Sequence, residues 1–195
     1  MYSFFAYLDR MKYINRWSLM RSNDKENIME HSAQVCMIAH ALAVIGNVYF
    51  GKSYNLDKVV TIALFHETSE VITGDLPTPI KYYNPQIRDA YKAIEEVAND
   101  KLIGMLPAEM QPIYADIIKA DSNLPESKLV KYADKLSAYV KCLSELKGSN
   151  NEFLKAKNSI EKDIENIDSD EVKYFMANFI KPYSLTLDEL DSCVF

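Results

Sequence analysis

Apolar residues along this chain recur at helical spacing far more often than in alternation. Phe4, Phe5, Tyr7, Leu8, Met11 and Ile14 form one stripe and predict a short N-terminal helix. Asn15 to Glu26 is polar, interrupted by Arg16-Trp17. From Glu30 to about Val48 the residues Val35, Met37, Ile38, Leu42, Val44 and Ile45 leave almost no polar face. Such a helix belongs at the centre of a core, and His31 sits in its first turn. Leu56 to about Ile72 contains Val59-Val60-Thr61-Ile62, a β-branched run that suits a strand. The apolar pattern continues through Ala63, Leu64 and Phe65, and that length favours a helix capped by Asn55 or Asp57. Thr73-Gly74 stops it.

Asp75-Leu76-Pro77-Thr78-Pro79 must be an extended or turning loop, because two prolines at spacing two forbid a continuous helix. Helices are predicted from Pro85 to about Leu106, from Pro107 to near Ala120, and from Pro125 through Leu143. Two more span Glu152 to Ile167 and Asp170 to Ile180, with a short turn at Leu187–Leu190. There is no internal repeat, low-complexity tract or linker. The expected fold is all-α, a single domain over residues 1–195 built as a helical bundle of about seven to nine helices.

Composition narrows the function. A net charge of -6 argues against a nucleic acid polymer as partner, since that affinity comes from basic residues on phosphates. It leaves room for a small anion held by a metal and one or two local cations. The three cysteines, Cys36, Cys142 and Cys193, are an odd number without a Cys-x-x-Cys pair, which suits a reducing compartment. The start Met1-Tyr2-Ser3-Phe4-Phe5 lacks a basic segment followed by an apolar run, and no apolar stretch reaches the roughly 20 residues that span a bilayer. A cytoplasmic protein with no membrane partner is expected.

The chemistry concentrates around three histidines. His66 lies in Phe65-His66-Glu67-Thr68-Ser69-Glu70, His31 in Glu30-His31-Ser32, and Asp134 in Lys131-Tyr132-Ala133-Asp134-Lys135. Imidazole nitrogen and carboxylate oxygen suit a divalent metal, so His31, His66, Glu67 and Asp134 form one site if the fold brings them together. Glu70, four residues after His66, falls on the same helical face and is placed to handle the proton of an activated water. Each has a plainer reading. Asp134 can pair with Lys131 or Lys135 at the surface, and His40 reads as a core residue or one supporting the site from behind. Arg16-Trp17 looks like an exposed cation beside an aromatic, suited to a phosphate and to a sugar or base. No Gly-rich phosphate loop or Gly-x-Ser-x-Gly elbow is present.

These residues resemble the HD-domain metal-dependent phosphohydrolases. More narrowly, Ile14 to Arg21, Glu30-His31-Ser32, Gly74 to Tyr82 and Asn151 to Leu154 look like the bacterial 5'-deoxynucleotidases of that superfamily. The similarity runs from about Phe4 to Leu190. It implies hydrolysis of deoxyribonucleoside 5'-monophosphates to deoxyribonucleoside and phosphate, by a homodimer using one divalent ion, with Co, Mn, Cu or Zn as candidates. It also implies metal ligation by His31, His66, Glu67 and Asp134, and catalysis by Glu70, Asp75 and Arg16. Substrate binding falls to Arg16, Trp17, Asp75, Leu76, Pro77 and Thr78. Glu67 stands where the family carries aspartate. Two alternatives stay open: a phosphohydrolase for another nucleotide phosphoester, or a homologue that binds nucleotide or metal without turnover.

Overall fold

The computed structural model describes residues 1–77, 80 and 83–192. The candidate Thr78 lies outside them. Helix α1 (Phe4–Leu8) tightens into a 3-10 turn, Asp9–Tyr13, and a loop of residues 14–27 leads to α2 (Ile28–Tyr49). Then come α3 (Leu56–Phe65), α4 (Glu70–Thr73), α5 (Pro85–Ile103) and α6 (Gln111–Ile118). Helix α7 (Pro125–Lys147) is followed by a 3-10 turn, Asn151–Phe153, then α8 (Leu154–Glu165) and α9 (Asp170–Phe179). A 3-10 turn, Lys181–Ser184, and α10 (Leu187–Ser192) close the described chain. The all-α expectation holds: among the described residues the one extended pairing is an isolated bridge between Asn15 and Asn27. Pro125 opens α7 as its spacing predicts, but Pro107 opens only a turn, its carbonyl accepting from Met110 and Gln111.

The main core lies where α2 packs on α3, α7 and α9. Val35, Ala39, Leu42 and Ala43 of α2 are fully buried against Val59 and Ala63 of α3 and Ala133 and Leu136 of α7. Each large aliphatic buried there contributes roughly 1.5–3 kcal/mol. Asn27 starts α2 with a capping box, its side chain accepting from Met29 and Glu30 while Glu30 reaches back to the Asn27 amide. By length and composition α2 passes as a membrane span, unlike the reading of the sequence alone, yet half of that window is buried in this core. Its burial is also one-sided. Ala33, Met37, His40 and Val48 recur on one exposed face, so His40 is a surface residue and not the core or supporting one expected. A second, smaller core joins Phe4 of α1 to Leu102 of α5 and Leu106.

Helix α7 also carries a polar stripe. Asp134, Ser137, Lys141 and Glu145 recur at helical spacing and share one face. The far end of this stripe fastens the 14–27 loop. Glu145 is 1% exposed and accepts from the amides of Asn23 (2.8 Å) and Asp24 (3.3 Å), from Asn150 Nδ2 (2.8 Å) and from Lys141 Nζ (2.5 Å). Asn150 also donates to the Arg21 carbonyl at 2.7 Å. A buried carboxylate is tolerable because every lone pair has a donor.

This network predicts an acid-sensitive contribution to stability. Burial alone would raise the Glu145 carboxyl, but donation from Lys141, Asn23 and Asn150 holds it down at about 2, from an ordinary 4.5. A depressed carboxylate stabilises the fold above its ordinary value and loses that contribution as pH falls from 4.5 toward 2. Glu145→Gln should cost about 3 kcal/mol at neutral pH, because Lys141 is left buried without its counter-charge. Urea unfolding should show the gap to wild type narrowing between about pH 5 and about pH 3; a constant gap would contradict the assignment.

Candidate active site

The site forms where α3 stops. A helix running to Ile72 was expected, but α3 ends at Phe65 and residues 66–69 are turns. The cause lies in the side chains. His66 Nδ1 takes the Ala63 carbonyl at 2.7 Å, and Thr68 Oγ1 donates to the Phe65 carbonyl at 2.9 Å. Both occupy acceptors that a continuing helix would use. Tighter bonds follow, from Glu70 N to Glu67 O (3.1 Å) and from Val71 N to Thr68 O (3.3 Å). In this turn the neighbours His66 and Glu67 reach the same place instead of diverging around a helix. Glu70 then opens α4, buried, and Gly74 ends it with φ 72°, a conformation glycine adopts freely.

His31, His66, Glu67 and Asp134 each offer one ligand atom, and the four lie within 4.8 Å of one another. His31 Nε2 is 3.0 Å from Asp134 Oδ1, and His66 Nε2 is 3.3 Å from Glu67 Oε1. Neither buried Nε2 makes a hydrogen bond of good geometry. Donors about 2.1 Å from a shared cation stand about 3.0–3.5 Å apart. Two orphaned imidazole nitrogens at such spacing from two carboxylates therefore fit a divalent ion. The His31 side chain is fully buried whereas that of Asp134 is 42% exposed, so Asp134 marks the mouth. The surface pairing considered for Asp134 is absent: Lys135 binds Asp163 at 2.9 Å instead.

The surroundings set the tautomer of His66 and offer His31 two. The bond from His66 Nδ1–H to Ala63 leaves the Nε2 lone pair facing the cluster. His31 Nδ1 is 3.0 Å from Ser137 Oγ and 2.8 Å from Arg16 NH1. Ser137 donates to Gln34 Oε1 at 2.6 Å, so its own lone pair is available to an Nδ1–H. A guanidinium only donates, so the Arg16 contact and an Nδ1–H exclude each other. Burial, helped by the Arg16 charge, pulls His31 below the ordinary imidazole value despite Asp134. Burial opposes His66 as well, but adjacent Glu67 raises it. Glu67 is driven well below the carboxylate range, its burial overcome by His66 and by a hydrogen bond with Glu70. Glu70 thus stands directly beside the ligand set.

Arg16 is no exposed cation: its side chain is 15% exposed and joins Glu26 Oε2 at 3.1 Å and Asp134 at 3.9 Å. Burial works against its charge, and Glu26 and Asp134 more than restore it. Trp17 donates from Nε1 to Glu26 Oε2 at 3.1 Å and packs on Phe153, ring centroids 5.3 Å apart. Asp75 is close enough to act on the Arg16 charge, while Leu76 and Pro77 are half-buried along the same loop. Three residues escaped the sequence reading: Glu26, Ser137 and Gln34. The α7 stripe was a signal for Ser137. Glu26 had none, being one acid in a polar stretch.

Comparison with known proteins agrees with this geometry. The family model described as 5'-deoxynucleotidase YfbR-like matches residues 3–183. A 5'-deoxynucleotidase of Citrobacter koseri is 51% identical over 188 residues, covering 96% of this chain and 94% of the relative. The 5'-deoxynucleotidase YfbR of Escherichia coli O1:K1 / APEC is 52% identical over the same shares. An HD-domain phosphohydrolase from Listeria innocua superposes with a TM-score of 0.83 at 26% identity, over 93% of this chain and 88% of that one. A cyanophage S-2L HD phosphohydrolase, bound to dA and one catalytic Zn2+ ion, shares the fold with a TM-score of 0.60 at 19% identity, over 90% and 95% of the two chains. Matched nearly end to end by the family model and by relatives at about half identity, the chain belongs to the YfbR-like 5'-deoxynucleotidase family.

Proposed function

We propose that this chain hydrolyses deoxyribonucleoside 5'-monophosphates to deoxyribonucleosides and inorganic phosphate, with one divalent ion held by His31, His66, Glu67 and Asp134. One observation carries the reading: four ligand atoms within 4.8 Å, two of them unpartnered imidazole nitrogens, in a chain 52% identical to a 5'-deoxynucleotidase. The ion supplies Lewis-acid chemistry, polarising a phosphoryl oxygen and making water a nucleophile at neutral pH. Co, Mn, Cu and Zn all suit the two-nitrogen, two-oxygen donor set.

The remaining work falls to the chain's own residues. Glu70, buried beside Glu67, takes the proton of the attacking water. Arg16 neutralises charge that spreads over the equatorial phosphoryl oxygens. Asp75 protonates the leaving 5'-oxygen or holds the sugar. Trp17 fills the space a 2'-hydroxyl needs, Leu76 and Pro77 line the same side, and Thr78 is a further substrate-binding residue. Residues 1–195 act as a single domain, paired in a homodimer. Unpaired Cys36 and Cys142 and a nucleotide substrate suit the cytoplasm.

Phosphate release from a panel of deoxy- and ribonucleoside monophosphates, with cobalt, manganese, copper, zinc and magnesium in separate runs, tests the reaction. Deoxy substrates should release inorganic phosphate, and kcat should fall at least about 100-fold in Glu70→Ala. No phosphate from the deoxynucleoside monophosphates with any of these metals, or wild-type rates in that variant, would refute the proposal. Ligation through His31 Nε2 requires its proton on Nδ1, with Ser137 as acceptor. Ser137→Ala should therefore weaken binding of the ion roughly 10-fold or more, measured by isothermal titration with the metal alone. Unchanged affinity would remove Ser137 from that role.

A further inference from the structure

We propose that Glu26 is a positioning residue that fixes Arg16 and Trp17 as one unit, so that phosphate binding and sugar discrimination are set together. The inference rests on the reading above, in which Arg16 meets the phosphate and Trp17 the sugar. A single atom, Glu26 Oε2, accepts from Arg16 NH1 and from Trp17 Nε1, both at 3.1 Å. The carboxylate is 13% exposed, and a carboxylate taken out of water needs hydrogen-bonding or ionic partners. Here the partners are the two side chains that face the substrate.

The local backbone shows what this convergence requires. Side chains of consecutive residues ordinarily point apart, yet these two meet at one oxygen. Trp17 adopts φ 60°, the left-handed region that a bulky aromatic rarely occupies. Its indole is then held by Glu26, by Phe153 at 5.3 Å between centroids, and by the Arg16 guanidinium carbon 6.0 Å from the ring centre. A donor meant for a phosphate gains from being aimed before the ligand arrives, because less rotamer freedom is lost on binding.

The Glu26 carboxylate is not what closes the loop. The main chain does that, through Arg16 N to Glu26 O at 2.9 Å and Ile28 N to Ile14 O at 3.0 Å. The tip is fastened separately, by the Asn23 and Asp24 amides on Glu145. Placing an acid beside a phosphate-binding arginine works against the anion. Its presence is explained by aim rather than by closure.

Trp17 is the one tryptophan of the chain, so intrinsic fluorescence reads its environment directly. Glu26→Gln keeps the shape and removes the charge. In the metal-loaded enzyme it should raise acrylamide quenching of Trp17 about twofold and KM for a deoxynucleoside monophosphate about tenfold, with kcat within about threefold. The kcat/KM ratio of deoxy over ribo substrate should fall about tenfold, with the thermal midpoint near wild type. Trp17→Phe removes the indole donor, and combining it with Glu26→Gln should lower the ratio no further than the larger single change. Independent, additive losses would overturn the coupling even if Glu26→Gln proved too unstable for kinetics at higher temperature. Trp17→Ala separates the two claims. A ratio unchanged in Trp17→Ala sinks the sugar reading and the proposal with it. A ratio that collapses there, while Glu26→Gln matches wild type in quenching, KM and ratio, overturns the role of Glu26 alone.

Discussion

Where α7 crosses α2, Asp134 and His31 meet at 3.0 Å, and the rest of the site is arranged about that contact. Apolar residues flank it, with Val35, Ala39, Ala133 and Leu136 excluding water on either side. Charge placed in such a seam must be paired or ligated, because its solvation is lost. The polar stripe of α7 meets that demand twice. At one end Asp134 and Ser137 serve His31; at the other Lys141 and Glu145 serve the loop that carries Arg16. One helix face thereby sets the ligand cluster and the loop above it in a common frame.

The early end of α3 sets where the Glu67 carboxylate sits. In the turn that follows Phe65, Glu67 leaves the helix axis and its Oε1 comes within 3.3 Å of His66 Nε2. That places it with His31, His66 and Asp134 in the cluster whose atoms fit a divalent ion.

Much of this was legible in the residues, for definite reasons. Scarce histidines beside acids pointed to His31, His66 and Glu67, and Asp134 stood out as a charge on an apolar helix. Periodicity placed α2, α5, α7 and α9 because each buries one face at a regular interval. It failed after Phe65, because the apolar pattern there carries no sign that His66 and Thr68 take up backbone carbonyls. Arg16 read as exposed because its partner Glu26 lies ten residues away in a stretch without periodicity. His40 read as buried because α2 is apolar nearly all round, and composition does not tell which apolar face the fold leaves to solvent. Ser137 and Gln34 are ordinary polar residues whose meaning depends on a helix crossing.

The fastening of the 14–27 loop has a consequence for how the enzyme is made. Asn23 and Glu145 are 122 positions apart in sequence, and Arg21 and Asn150 are 129 apart. A nascent chain emerging from the ribosome exposes the Arg16-Trp17 segment long before the acid that fastens its loop is synthesised. Until α7 docks on α2, neither the cation nor the indole has its final direction, and the ligand cluster lacks Asp134. Nucleotide handling therefore waits until Glu145 and Asn150 have been made and α7 has docked.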